Sequence, residues 1–405
     1  MGVDVSNQSL DELLREGADS VFQYVRRAAE RTPTGTRWET LSYEDTPFHS
    51  PSPLDGVGGI ALFLADYARL TGNDEARQLS RSGLEWCASD EHQSQPWWDY
   101  MKTPTIAAQA GLVICWLRLA AAGDPTALDR AAALARRLHG RQLGPMTEYL
   151  YGEAGLGVTL IRAYYATGDR THLDEAIRIG AWLEEVATRE AAQGADALSW
   201  PSALEGPRRN FFLGFMHGTS GVGYFLALLH RADPSDRWAS LIRGTAAYLR
   251  AHAVEDRGGL NWPRTPGDAA TRCAWCHGAA GVGRFWTVAH AAVSDPSFFE
   301  AAIAAAECTY AYGDYRSAAI QCHGLSGNAE LFLDLYRQTS DQRWLDRAEE
   351  FARLCFAYRL KTPDGDAWQT DVPGNTSPDY VYGGTGPGHF FLRLLERGAT
   401  PWALG

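Results

Sequence analysis

The chain has 405 residues, 45% of them hydrophobic, and its 49 acidic and 37 basic side chains leave a formal charge of −12. That length can bury a large core, and the acidic balance argues against a nucleic-acid or anionic-membrane surface. No run of about 18 apolar residues is present to span a membrane. The opening stretch MGVDVSNQSLDELLREG lacks the apolar segment of a secretion signal. MGVDVS fits the loose Gly2/Ser6 pattern for N-myristoylation, but Asp4 lies inside it and no basic cluster follows. Seven cysteines, an odd number in a chain expected to be cytoplasmic, favour metal-binding or reactive thiols over a disulfide framework.

Residues 11–32 have the apolar spacing of an amphipathic helix. From Gly56 the chain repeats itself. GVGGIALFLADYARLTGN begins at Gly56, GEAGLGVTLIRAYYATGD at Gly152 and GTSGVGYFLALLHRAD at Gly218. GAAGVGRFWTVAHAAVSD begins at Gly278, GLSGNAELFLDLYRQTSD at Gly324 and GGTGPGHFFLRLLERG at Gly383. A degenerate seventh copy, AQAGLVICWLRLAAAGD, has Ala108 in place of the first glycine. The period is irregular, about 44 to 66 residues, as in arrays of supersecondary units.

Each copy opens with G-x-x-G and runs on as a mostly apolar helix of about four turns. Amphipathic second helices follow, for example over 171–190, 235–252 and 341–359. An apolar helix paired with an amphipathic one predicts an inner and an outer ring. The last inner helix has no outer partner after it, and helix 11–32 has no inner partner before it. Pairing those two closes the outer ring. The expected fold is all-α, a single domain over 1–405 forming a double α/α toroid of seven helix-pair repeats. The glycines are expected where inner helices crowd toward the centre and a Cβ would be costly. Segments rich in Trp, Pro and Gly, such as 90–104 and 258–273, are expected to roof that end.

Aligned on the first glycine, the preceding residues are Asp55, Ala107, Tyr151, His217, His277, His323 and Tyr382. One position earlier stand Cys276 and Cys322 among apolar residues. Helix capping accounts for Asp55 but not for histidines and cysteines. Cys276, Cys322 and His323 form the best ligand set, because adjacent repeats set them side by side. Two thiolates and an imidazole suit a single zinc ion, and three ligands with an open fourth position is the catalytic pattern. Cys273, three residues before Cys276 in a C-x-x-C, is the rival that would close the site as a structural one. Cys87, Cys115, Cys308 and Cys355 sit in apolar helical patterns and read as core. A nucleotide-phosphate reading of G-x-x-G fails, since no strand pattern precedes it and no lysine follows. The helix N-termini are still expected to favour anions at this end.

WCHG followed by CHG, within serial G-x-x-G repeats, resembles the lanthionine synthetase C-like proteins, and the resemblance covers essentially the whole chain. It implies a double α-toroid with zinc held by two cysteines and one histidine, here Cys276, Cys322 and His323. Peptide-modifying members cyclise dehydrated precursor peptides. Eukaryotic members and some others add glutathione to dehydroamino acids. The family's catalytic histidine in H-G-x-x-G matches His217, and its arginine four residues before the first zinc cysteine matches Arg272. Two positions depart from the pattern: His277 stands where cyclases often have tyrosine, and Glu148 where the family typically has aspartate.

The resemblance implies Michael addition of a zinc-activated thiolate to dehydroalanine or dehydrobutyrine. Arg272 would stabilise the enolate, His217 or His277 would protonate the α-carbon, and Glu148 would orient a histidine or its water. It also implies a dehydratase partner, since this chain has no dehydratase segment. Two other readings stand beside it. One is a non-catalytic zinc-containing scaffold that binds a peptide. The other is a toroidal glycosidase or terpene cyclase, which would need paired channel carboxylates or Asp-rich motifs that the aligned columns do not supply.

Overall fold

The computed structural model describes residues 9–42, 44–91, 98–192, 195–313, 318–362 and 365–402. The MGVDVS pattern and residues 92–97 lie outside them. The early helices are α1 (Leu10–Arg27), α2 (Val57–Thr71), α3 (Asp74–Cys87), the single turn α4 (Trp98–Met101) and α5 (Gln109–Ala121). Next come α6 (Ala127–Arg136), α7 (Glu153–Thr167), α8 (Arg170–Glu185), α9 (Thr219–Ala232) and α10 (Asp236–Ala251). The last are α11 (Ala279–Val293), α12 (Pro296–Tyr312), α13 (Leu325–Thr339), α14 (Gln342–Cys355) and α15 (Thr385–Leu395).

Helices α2, α5, α7, α9, α11, α13 and α15 touch one another in that order, and α15 returns to α2. Each also packs on one outer helix: α3, α6, α8, α10, α12 and α14 in turn, with α1 on α15. The fold is an α/α toroid of seven helix pairs. The sequence explains which helix goes where. Helix α2 buries every residue from Val57 to Ala68, as a helix apolar on all faces must. Helix α14 buries only Trp344, Leu345, Ala348, Phe351, Ala352 and Cys355, one stripe of an amphipathic helix. Helix α1 docks through Gly17, where a Cβ would stand 2.7 Å from Phe356 and 2.8 Å from Phe391.

Two outer helices are shorter than their periodicity predicts. Helix α1 stops at Arg27 rather than 32 and α8 at Glu185 rather than 190, while α14 stops at Cys355 but runs on as a 3-10 turn, Phe356–Tyr358, close to the expected 359. After each the chain turns into a two-stranded hairpin: 30–32 with 35–37, 188–192 with 195–199, and 359–362 with 365–368. A further hairpin, 254–256 with 259–261, follows α10. Each hairpin leads to a buried tryptophan whose indole N–H donates to a carbonyl in the last turn of the helix just left. The bonds are Trp38 to Val25 (2.7 Å), Trp200 to Leu183 (2.7 Å), Trp262 to Leu249 (2.7 Å) and Trp368 to Cys355 (2.9 Å). Those carbonyls have no partner within the helix, so the indole acts as a cap supplied from the roof.

The two rings start their helices differently. Ser9, Asn73, Asp169, Ser235, Asp295 and Asp341 cap outer helices with their side chains. Each such cap contributes about 1 kcal/mol. Inner helices make no side-chain cap bond, and Asp55 is not a cap. Their first amides donate to carbonyls of the incoming loop instead: Val57 to Ser50 (2.8 Å), Glu153 to Met146 (3.1 Å), Thr219 to Phe212 (2.9 Å) and Leu325 to Ala318 (2.9 Å). The expectation of anion-seeking helix ends is corrected to that extent, since these donors are already used. The reason for the second glycine changes too. A Cβ at Gly155, Gly281 or Gly327 would lie 1.8–1.9 Å from the carbonyl oxygen six residues earlier. The crowding comes from the tight incoming turn, not from the centre of the ring.

The far half of the channel, toward the inner helix C-termini, is ionic rather than apolar. The residues ten positions after the aligned glycine are Asp66, Arg118, Arg162, Leu228, Val288, Asp334 and Arg393. Six positions after it stand Arg284, Glu330 and His389 in three of the helices. Asp66 meets His389 at 3.1 Å and Arg118 at 3.5 Å. Arg284 meets Asp334 at 2.8 Å, and Arg393 pairs with Glu330 and Asp334. Trp402 enters above this network. Its ring lies 4.9 Å from Trp275, with the Arg284 guanidinium 4.4 Å from its face.

Candidate metal centre

A chain of backbone hydrogen bonds runs around the channel mouth, one residue per repeat. Ala107 N–H donates to Leu150 (3.4 Å), Leu150 to Met216 (3.1 Å), Met216 to Cys276 (3.2 Å) and Cys276 to Cys322 (3.2 Å). Cys322 donates to Val381 (3.0 Å) and Val381 to Leu54 (3.1 Å). Cys276 and Cys322 are thus neighbours because their amides are bonded, whatever their side chains do. In the degenerate repeat the donor, Ala107, directly precedes the helix cap Ala108. Elsewhere one residue intervenes, as His277 does before Gly278. Gly278 has φ +124°, a conformation that favours glycine, so its side of the turn tolerates no substituent.

The ligand atoms of Cys276, Cys322 and His323 all lie within 4.8 Å of one another, the one such group found among the described residues. A hydrogen bond from Cys322 pulls the Cys276 thiol well below its ordinary value against the effect of burial, and His323 adds to the pull. The same bond pushes Cys322 up, so of the two thiols Cys276 is the one favoured as thiolate. His323 Nε2 lies 3.2 Å from Asp371 Oδ2, the carboxylate–imidazole contact that orients a metal-ligating histidine and leaves Nδ1 for the metal. Two soft thiols, one imidazole and an outer carboxylate fit zinc. Cys273 Sγ instead donates to Thr309 at 3.5 Å, on α12.

The cluster opens into a cavity of about 480 Å³ that also takes in His217, His277, Arg264, Arg272, Asp371 and Tyr382. The rings of His217 and His277 face each other at 5.6 Å, inclined by 30°. Glu148 is buried, and its two oxygens accept from Leu150 N (2.6 Å) and Tyr151 N (2.7 Å), which pins the turn. Its Oε2 lies 3.6 Å from His217 Nδ1. Burial works against a charged His217, but Glu148 more than offsets it, and the imidazole is raised above its ordinary value. Burial first, then His217 and two arginines, push His277 down to about 4, although Cys276 pulls the other way. The surroundings therefore push the two imidazoles in opposite directions. Arg272 sits exposed at the rim.

Two charged residues of the cavity, Asp371 and Arg264, were not marked by the sequence. Asp371 lies in a roof loop outside every aligned column, and nothing in its surroundings, TDVPG, marks it. Arg264 belongs to the roof segment 258–273. It stacks on Phe212 at 4.9 Å and lines both this cavity and an adjoining one of about 410 Å³ beside Glu148.

Residues 47–404 match the family model described as lanthionine synthetase C-like protein. The chain belongs to that family. Helix α1 precedes the matched region yet closes the outer ring against α15. Among curated relatives, the chain is 32% identical over 157 residues to "Glutathione S-transferase LANCL1" of Danio rerio, covering 38% of each chain. It is 34% identical over 149 residues to "LanC-like protein GCL1" of Arabidopsis thaliana, covering 36% of this chain and 33% of that one. The matches thus span little more than a third of those relatives' lengths. Among solved structures, "Nisin cyclase" superposes with a TM-score of 0.65 at 17% identity, over 94% of this chain and 93% of that one. A sugar epimerase from a ruminal bacterium superposes with a TM-score of 0.52 at 11% identity, over 97% and 100%. At such identities the likeness is one of fold, and toroids of this kind host unrelated chemistries, so function has to be argued from the site.

Proposed function

We propose that this family member is a cytoplasmic, zinc-dependent cyclase that adds a cysteine thiol across the double bond of dehydroalanine or dehydrobutyrine in a dehydrated peptide, forming a thioether. The observation that carries the reading is the Cys276–Cys322–His323 cluster, which shares one cavity with two histidines whose pKa values are shifted in opposite directions. Cys276, Cys322 and His323 would hold one zinc ion. Zinc there supplies a centre that keeps a coordinated thiol deprotonated at neutral pH.

In the addition, the sulfur forms a bond to the β-carbon. The π pair moves toward the carbonyl, and the α-carbon takes a proton. His217, whose charged form Glu148 supports, donates that proton, and His277 receives the one released by the incoming thiol. Arg272 and Arg264 at the cavity offer guanidiniums to the developing enolate oxygen. The Glu148 carboxylate is committed to two amides and His217, and Asp371 to His323. No carboxylate pair is left for the glycosidase reading among the described cavity residues. All seven cysteines are unpaired, as a reducing compartment would keep them. No helix among the described residues is long and apolar enough to cross a membrane.

The second reading is addition of glutathione rather than a peptide cysteine. The partial match to a relative named as a glutathione S-transferase favours it. In either case a dehydratase partner must supply the alkene. The test offers zinc-loaded protein a dehydrated, cysteine-containing peptide with and without glutathione, and follows mass and free thiol. Thiol loss at constant mass identifies cyclisation. A gain of one glutathione mass identifies the second reading. Neither change, in protein shown to hold zinc, leaves the scaffold reading standing.

A further inference from the structure

The far end of the toroid holds a second cavity of about 480 Å³, at the C-terminal ends of α2, α5 and α7. Ile114, Leu117, Pro401 and Trp402 give it apolar walls. Three arginines line it, with Glu396 the one carboxylate among its described residues. Arg69 is spoken for, since it holds Glu396 through two bonds. Arg118 is also spoken for, meeting Asp66 at 3.5 Å and donating to the carbonyls of Pro401 (2.6 Å) and Trp402 (3.0 Å). Among the described residues Arg162 makes no ion pair or side-chain hydrogen bond. Asp66, Arg118, Asp334 and Arg393, at the same position of other inner helices, all have ionic partners. Beside it Tyr165 is 61% exposed, the most exposed large hydrophobic side chain among the described residues.

An apolar pocket of this size with one half-buried, uncommitted guanidinium is complementary to a molecule with an apolar body and a single negative group. The helix ends account for the presence of arginines here, because cations are favoured at helix C-termini. They do not account for an open cavity beside the one of its three arginines that has no partner among the described residues. We propose that this cavity binds a small apolar organic anion, its carboxylate or similar group on Arg162 and its apolar part between Leu117 and Trp402. This site lies apart from the mouth residues and does not depend on the thioether reading.

Calorimetric titration of the full chain with octanoate and with neutral 1-octanol tests it. Octanoate is expected to bind at one site, and octanol about ten-fold more weakly, the worth of one charge-assisted bond. Arg162→Met is expected to bring octanoate down to the octanol level without changing octanol. Ala166→Trp, which fills the cavity, is expected to abolish both while leaving the melting temperature and zinc content in place. Equal affinity for the two probes, an Arg162→Met variant that binds octanoate unchanged, or no binding at all would overturn the proposal.

Discussion

The same seven helices begin at one end of the channel and finish at the other, and the two ends solve opposite problems. At the mouth, tight glycine turns bring backbone against backbone, loop carbonyls satisfy the helix amides, and the side chains of the intervening residues are left free to act. At the far end the inner helices present long charged side chains that tie α2, α5, α11, α13 and α15 together across the channel. Function belongs where the backbone has taken over the structural work. Stability belongs where side chains do it, and that division can be tested.

The largest effect is expected at the mouth. Cys322→Ala should lose the metal and all activity while the protein still melts cooperatively; metal content equal to that of the unchanged chain would remove Cys322 from the ligand set. His217→Ala should keep the metal but lose about 10²–10⁴-fold in turnover, as removal of a general acid does. At the far end the order reverses. Glu330→Ala takes the nearer of two carboxylates from the buried Arg393 and should cost about 3–5 kcal/mol of stability in urea unfolding, with zinc binding kept. A loss of zinc there without a loss of stability would blur the division between the two ends.

Glu148→Gln should act through pH. Glu148 raises the His217 pKa, so the protonated acid persists to higher pH and activity should fall as pH rises through that raised value. Without the carboxylate the alkaline limb should move to lower pH. The sign for stability agrees: the pair's contribution is complete below the unfolded value of 6.5 and is lost as pH rises through the higher folded value. An unmoved alkaline limb would separate Glu148 from the acid. The smallest effect is expected from Cys273→Ala, since its thiol faces Thr309, and zinc stoichiometry should stay at one.

Much of this was legible in the residues. Serial G-x-x-G with apolar helices behind it specifies the inner ring, and Cys276, Cys322 and His323 stand in register because register is what the repeat preserves. The outer helix ends were not legible. Residues 28–32 and 186–190 continue a helical pattern, and the distant indoles of Trp38 and Trp200 cap the helices before they are reached. Asp371 reaches His323 from a loop whose path no periodicity encodes. The ionic column at Asp66, Arg118, Arg162, Asp334 and Arg393 was readable by the same alignment, but it lies inside helices whose apolar average conceals single charges.

The backbone girdle at the mouth makes its stations interchangeable. Met216 stands to Cys276 and His277 as Cys276 stands to Cys322 and His323: an amide bonded to the next carbonyl, with an imidazole following. One replacement, Met216→Cys, would present the same donor set one station round the circle. In such a ring a donor set is a matter of register, and one substitution would repeat it at the next station.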